Sequence, residues 1–160
     1  MAEPLAMKHI SLKVIVGADA ETGAEYNCEL AEVVLEDEPG DEERYDVLCP
    51  DQSYVTYGPN APTIQLRGVQ KWDALGLATY LWNNVGSEIA FDYAPFGPAP
   101  ASADAPHWTG VFLANRRPQV GGEVGTFAEI DLEFPIIGAV EMVTTAVLAA
   151  SASSSRKAAA

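Results

Sequence analysis

GTFAEIDLEFPIIG, residues 125–138, decides how the rest of the chain is read. Thr126, Ala128, Ile130, Leu132 and Phe134 fall on one side of an extended strand, and Phe127, Glu129, Asp131 and Glu133 on the other. A one-residue slip in pairing would bury three carboxylates, so the register of such a strand is strongly fixed. Its outward row is a ladder of negative charge.

Working outward from that strand, the chain alternates in the same way several times. HWTGVFLAN (residues 107–115) and SEIAFDY (87–93) read as strands, separated by the Pro/Ala/Gly-rich loop PFGPAPASADAP (95–106). Between residues 73 and 86, DALGLATYLWNNVG places Ala74, Leu77, Ala78, Leu81 and Val85 on one helical stripe. Asp73 is suited to cap its N-terminus, and Gly86 to accept positive φ at its end. Toward the N-terminus, Ile10, Leu12, Val14 and Val16 mark a first strand, followed by a turn over residues 17–23. Tyr26, Cys28 and Leu30 alternate with Glu25, Asn27 and Glu29. The apolar phase then slips around residues 31–34, which suggests a bulge. Residues 63–70, with Ile64 and Leu66 against Gln65 and Arg67, make another strand. The pattern is mainly β, with one convincing helix.

At 160 residues, the chain fits one domain able to bury roughly 70% of its unfolded surface. We expect that domain over residues 1–145 and a low-complexity tail, AVLAASASSSRKAAA, over 146–160. The net charge is −14, and it is unevenly spread. Residues 19–51 contain thirteen acids and one base, Arg44. Such a field opposes ordinary DNA binding, which needs Lys and Arg to neutralise phosphates. EDEPGDEE (36–43) concentrates like charge around Pro39 and Gly40 and is expected to be an extended, mobile loop within a longer acidic connection, residues 36–62. Short β segments are expected at 44–48 and 53–57.

Chemistry-bearing motifs are sparse. Cys28 and Cys49 are too few for a disulfide framework and lack metal-pair spacing; reduced thiols are the expectation. His9 and His107 have no nucleophile motif around them, and there is no GxSxG, P-loop or HExxH. The acidic run lacks the spacing of a calcium loop. We therefore expect no enzyme activity, no metal and no cofactor. The N-terminal residues alternate too regularly for a secretory signal, and no run of 18 apolar residues exists to span a membrane. A soluble protein made in a cytoplasm is the expectation.

The order helix, NNVGSEIAFDYAPFG, then HWTGVFLANRRPQVGGEVGTFAEIDLEFPIIG resembles the major tail (tail tube) protein of long non-contractile-tailed, siphovirus-type bacteriophages. The match covers roughly residues 73–140. It rests on the Gly86 helix end, the Trp108-Thr109-Gly110 strand and the Gly-rich turn leading into the last strand. The resemblance implies a β-sandwich or partial barrel with one flanking helix, whose inner sheet joins six neighbours into a closed ring. Rings stack into a tube for genome ejection, in the virion tail. It implies partners of the same kind, together with tape-measure, tail terminator and distal tail proteins. DNA passes through without specific binding, and no membrane is involved.

On that resemblance Glu25, Glu29, Glu129, Asp131 and Glu133 are expected to line the lumen, where like charge keeps phosphate from sticking. Glu36, Asp37, Glu38, Asp41, Glu42, Glu43 and Arg44 are expected in a loop that reaches a neighbouring subunit or ring. Arg67, Lys71, Arg116 and Arg117 of another copy are its expected basic partners. Two alternatives stand beside it: another virion component of related fold, such as a tail terminator or decoration protein, and a carbohydrate-binding β-sandwich using Trp72, Trp82 and Trp108.

Overall fold

The computed structural model describes residues 10–16 and 23–145. In chain order these form β1 (Ser11–Val16), β2 (Ala24–Glu25), β3 (Leu30–Glu38), β4 (Glu42–Asp46), β5 (Ser53–Tyr57), β6 (Ala61–Val69), α1 (Leu77–Asn83), β7 (Glu88–Ala94), β8 (His107–Leu113) and β9 (Glu129–Val143). Seven strands join antiparallel in the order β2-β1-β7-β8-β9-β6-β3, and β4 and β5 pair separately. The mainly β fold with a single helix among the described residues agrees with the sequence.

β9 is the strand on which the architecture turns. Its residues from Glu129 to Pro135 pair with β6, and those from Ile136 to Val143 pair with β8. Changing partner midway lets the sheet fold over so that both flanks bury the same side. Ile130, Leu132, Phe134 and Ile136 are buried as their alternation requires, while Glu129, Asp131 and Glu133 stay exposed. Phe91, Phe112 and Phe134 stack at the centre, with ring centroids 6.1 and 5.2 Å apart. The Tyr93 hydroxyl crosses from β7 to donate to the Val33 carbonyl on β3 at 3.1 Å, tying the flanks together. Farther along, β9 bulges opposite Gly110, where Gly138 takes φ +78°.

The bulge expected near residues 31–34 is present: Ala31 is skipped between the Leu30–Gly68 and Glu32–Arg67 pairs. Gly68 is required there, because a Cβ would lie 2.0 Å from the Glu29 carbonyl oxygen.

Three local expectations are corrected. The helix is shorter than residues 73–86 imply and begins at Leu77, with Leu77, Ala78 and Leu81 buried. Asp73 instead closes a preceding turn, accepting from the Leu75 N–H at 3.2 Å. Gly76 packs against the Lys71 backbone and separates that turn from the helix. Gly86 does adopt positive φ, 86°. Second, Glu36, Asp37 and Glu38 are not loop but the end of β3, paired with Thr63, Pro62 and Ala61. The rest of the acidic connection is a hairpin, β4–β5, so Glu42, Glu43 and Arg44 lie in a strand. Backbone pairing across the neck at Gly40 and Gly58 closes it, with Gly58 N–H donating to the Asp41 carbonyl at 2.9 Å. Third, the alternation assigned to residues 25–30 breaks: Tyr26, Glu29 and Leu30 are buried and Cys28 is exposed. Here the chain leaves the edge beside β1 and crosses to β3, so period two no longer applies. The expected turn at 17–23 falls mostly, and the 146–160 tail wholly, outside the described residues.

Candidate functional site

Three regions concentrate chemistry on the surface: an acidic sheet face, the β4–β5 hairpin, and an aromatic end beside α1.

The acidic face is the outward side of β3, β6 and β9. Cross-strand register places Glu133 opposite Gln65, Asp131 opposite Arg67 and Glu129 opposite Val69. On the far side of β6, Glu32 faces Arg67, Glu36 faces Thr63 and Glu38 faces Ala61. Directly opposed residues share a face, so six carboxylates and one guanidinium give it a formal charge of −5. Gln65 donates to Asp131 at 3.0 Å, and Arg67 lies 3.8 Å from Glu32. The three β9 acids named from the sequence therefore stand together. Glu32, also on that face, escaped notice because the strand phase is interrupted at Ala31.

Glu25 and Glu29 do not join that row. Glu25 lies on β2, at the other end of the strand order, where Asn27 Nδ2 and Ser11 Oγ donate to it at 2.7 and 2.8 Å. Those bonds, Asn27's first, hold its carboxyl below the usual range. Glu29 is 7% exposed and points inward. Its Oε2 accepts from the Leu77 N–H at 2.8 Å, and Lys71 Nζ lies 3.7 Å from its Oε1. Gly76, at the N-cap, has no side chain to offer, and Glu29 supplies the acceptor from 48 residues away. This carboxylate is a structural cap.

The hairpin carries Asp41, Glu42, Glu43, Asp46 and Asp51 around one base, Arg44, which bonds Asp46 at 3.0 Å. Every residue of β4 and β5 is exposed. Tyr45 and Tyr54 pair across it, and Tyr57, Val55 and the tip residue Leu48 are also bare.

At the aromatic end, Trp72 and Trp82 meet edge to face with centroids 5.8 Å apart, and the Arg117 guanidinium lies 4.8 Å from the Trp82 ring centre. Gln70 organises this end. It accepts from Trp72 Nε1 and the Gly121 N–H, and donates to the Gly121 and Glu129 carbonyls. Val120, Val124 and Phe127 on the following loop are exposed.

The expected basic partners all have neighbours within the chain. Arg67 and Lys71 are in the ion pairs above, and Lys71 also bonds Asp73 at 3.3 Å, which raises its pKa. Arg116 donates to the Glu133 carbonyl at 2.7 Å.

His107 and Asp92 sit 3.0 Å apart, both largely shielded, and His107 Nε2 lies 2.8 Å from the Ala99 carbonyl. Both ring nitrogens are engaged, so the pair ties the 95–106 loop to β7. Among the described residues no group of three His, Cys, Asp or Glu is placed to hold a metal ion. No helix there is long and apolar enough to cross a membrane. Cys28 and Cys49 are free and exposed.

No family model matches the sequence, and no curated protein does. Among solved structures, a chain of the six-fold symmetrised cryo-EM structure of the anti-feeding prophage baseplate is similar, with a TM-score of 0.58 at 10% identity. The match covers 90% of this chain and 98% of that one. At that identity the likeness is one of fold.

Proposed function

We propose that this chain is a structural subunit of a phage-type tail, and specifically that copies form six-membered rings that stack into the tail tube of a siphovirus-type virion. The likeness to a chain of a tail-like baseplate supports the general class. The single observation that carries the finer reading is the −5 face on β3, β6 and β9. A bore lined by Glu129, Asp131, Glu133 and Glu32 repels phosphate along its length, and DNA slides through without being held. Lateral pairing of the outermost strands, β2 and β3, would close the ring and remove the sheet edges that otherwise invite uncontrolled association.

In this reading the β4–β5 hairpin is an arm. A two-stranded ribbon with no buried residue is marginal in water by itself, and docking on a neighbour would stabilise it. Tape-measure, terminator and distal tail proteins are the further partners, and the virion tail is the location. No catalytic step and no cofactor belong to this reading.

Microscopy of the concentrated, pure protein tests this. Rings or filaments of uniform bore are expected, with the β9 acids on the inner wall of a reconstructed map. Strictly monomeric material removes the tube reading, and acids on the outer wall remove the lumen assignment. A second reading, a baseplate or other tail component, is favoured by the baseplate likeness; discrete rings that never stack would support it. The glycan-binding alternative loses ground, since Trp72 and Trp82 meet edge-on and Arg117 occupies one face of Trp82.

A further inference from the structure

We infer that His107 and Asp92 form a proton-operated latch on the loop of residues 95–106: the loop is bonded to the sheet while the pair holds an extra proton and comes free when that proton leaves. This holds for the single chain and does not depend on the tube reading.

The latch follows from a count of donors. His107 Nδ1 lies 3.0 Å from Asp92 Oδ1, and Nε2 lies 2.8 Å from the Ala99 carbonyl oxygen. A carbonyl oxygen and an ionised carboxylate only accept, and a neutral imidazole has one N–H to give. Both contacts are hydrogen bonds only when the pair carries one proton more than a neutral ring and a carboxylate hold between them. That state is an imidazolium facing a carboxylate, or its equivalent with the proton on Asp92. Once the extra proton is gone, one ring nitrogen turns a lone pair toward an oxygen. The remaining N–H stays with the charged partner, whose hydrogen bond is the stronger, so the Ala99 contact is the one that fails.

The surroundings favour the charged ring. Phe91 and Tyr93 belong to the core, so Asp92 between them lies on the outer side of β7, yet it is only 7% exposed. A shielded carboxylate is costly without a cationic partner. Lys13 on β1 stands opposite Asp92 on the side away from β8. On the other side Thr109 of β8 is opposite Asp92, and Glu141 of β9 is opposite Thr109. His107, two residues before Thr109, therefore has a carboxylate on each neighbouring strand, and Asp104 is the one charged residue of the loop itself. Three carboxylates against one ammonium stabilise a positive imidazole. Other bonds of the loop are local: Gly97 N–H donates to the Ala94 carbonyl, and Ser102 and Ala105 bond each other. They do not hold the middle of the loop to the sheet, which is the work of the Ala99 bond.

NMR of the full chain, at a concentration where it is monomeric, tests the latch. At about pH 5.5 both His107 ring nitrogens should have the shifts of protonated nitrogens, and the Ala99 and Ala101 amides should be as ordered as those of β8. As the ring titrates toward about pH 8.5, those two amides should lose that order in step with it. Asp92→Asn is the deciding variant. Its side-chain amide donates to Nδ1, a neutral ring keeps its N–H for Ala99, and the loop should stay ordered at both pH values. His107→Phe should leave the loop loose at both. A wild-type loop equally ordered across the ring's titration overturns the latch, as does a loosening with pH that persists in Asp92→Asn. A ring that keeps both protons until the sheet itself unfolds overturns it as well.

Discussion

Replacing Glu29 with Ala separates two roles that acids play in this chain. Its carboxylate is buried and accepts a 2.8 Å bond from the Leu77 N–H, in the first turn of a helix whose N-cap is a glycine. Truncation removes a charge-assisted hydrogen bond and strands a buried donor, a loss of about 1.5–3 kcal/mol. Lys71 is half-exposed at 3.7 Å and adds little. For a domain of this size, 2 kcal/mol corresponds to a fall of roughly 4–8 °C in Tm. Glu29→Gln keeps an acceptor in place and should lose about half as much. Glu129→Ala and Glu133→Ala, on the exposed face, should stay within about 0.5 kcal/mol of wild type. The assay is thermal and urea unfolding at concentrations where the protein is monomeric. If Glu29→Ala melts with the wild type, or if all three variants lose stability equally, the capping argument is wrong.

Replacing Glu129, Asp131 and Glu133 together with Lys takes the sheet face from −5 to +1. Assembly should persist while the particles retain DNA in low salt and release it as salt rises; unchanged DNA behaviour would move the row away from the bore. Gly68→Ala should cost about 1–3 kcal/mol or more, because its Cβ meets the Glu29 carbonyl at 2.0 Å and only backbone can yield; wild-type urea unfolding would contradict that. Burial pushes the Tyr93 hydroxyl up to about 12. Its folded pKa thus lies above the unfolded value of about 10, so its contribution is intact below pH 10 and lost as pH climbs toward 12. Tyr93→Phe should flatten that alkaline decline while removing the Val33 tie, about 1 kcal/mol at neutral pH; an unaltered alkaline slope in unfolding experiments would refute it.

Much of the fold is legible in the sequence, because period-two alternation is a local property. Ile130, Leu132 and Phe134 against Glu129, Asp131 and Glu133 sufficed to place β9 and its exposed row. The short segment expected at residues 53–57 matches β5, whereas the one expected at 44–48 lies two residues earlier, as Glu42–Asp46, and charge repulsion in EDEPGDEE favours a loop over the preceding residues. There the backbone pairing of β3 with β6 prevailed, since exposed carboxylates at Glu36 and Glu38 remain solvated on a strand. Asp73 illustrates the limit of local signals. It has the chemistry of an N-cap, but Gly76 against Lys71 moved the helix start beyond its reach.

By itself, then, the sequence determined that the chain is mainly β, where its last strand runs, which β9 acids face outward, and that residues 19–51 carry thirteen acids against one base. Only the tertiary structure decided that Glu29 turns inward to cap a helix 48 residues later, that Glu32 belongs to the acidic face, and that the bare hairpin and the Trp72–Trp82–Arg117 cluster stand at opposite ends of β6. Alternation along one strand encodes which side of that strand meets water. Which strands lie side by side depends on β9 changing partners at Pro135 and Ile136, a contact between distant segments that no short window of sequence contains.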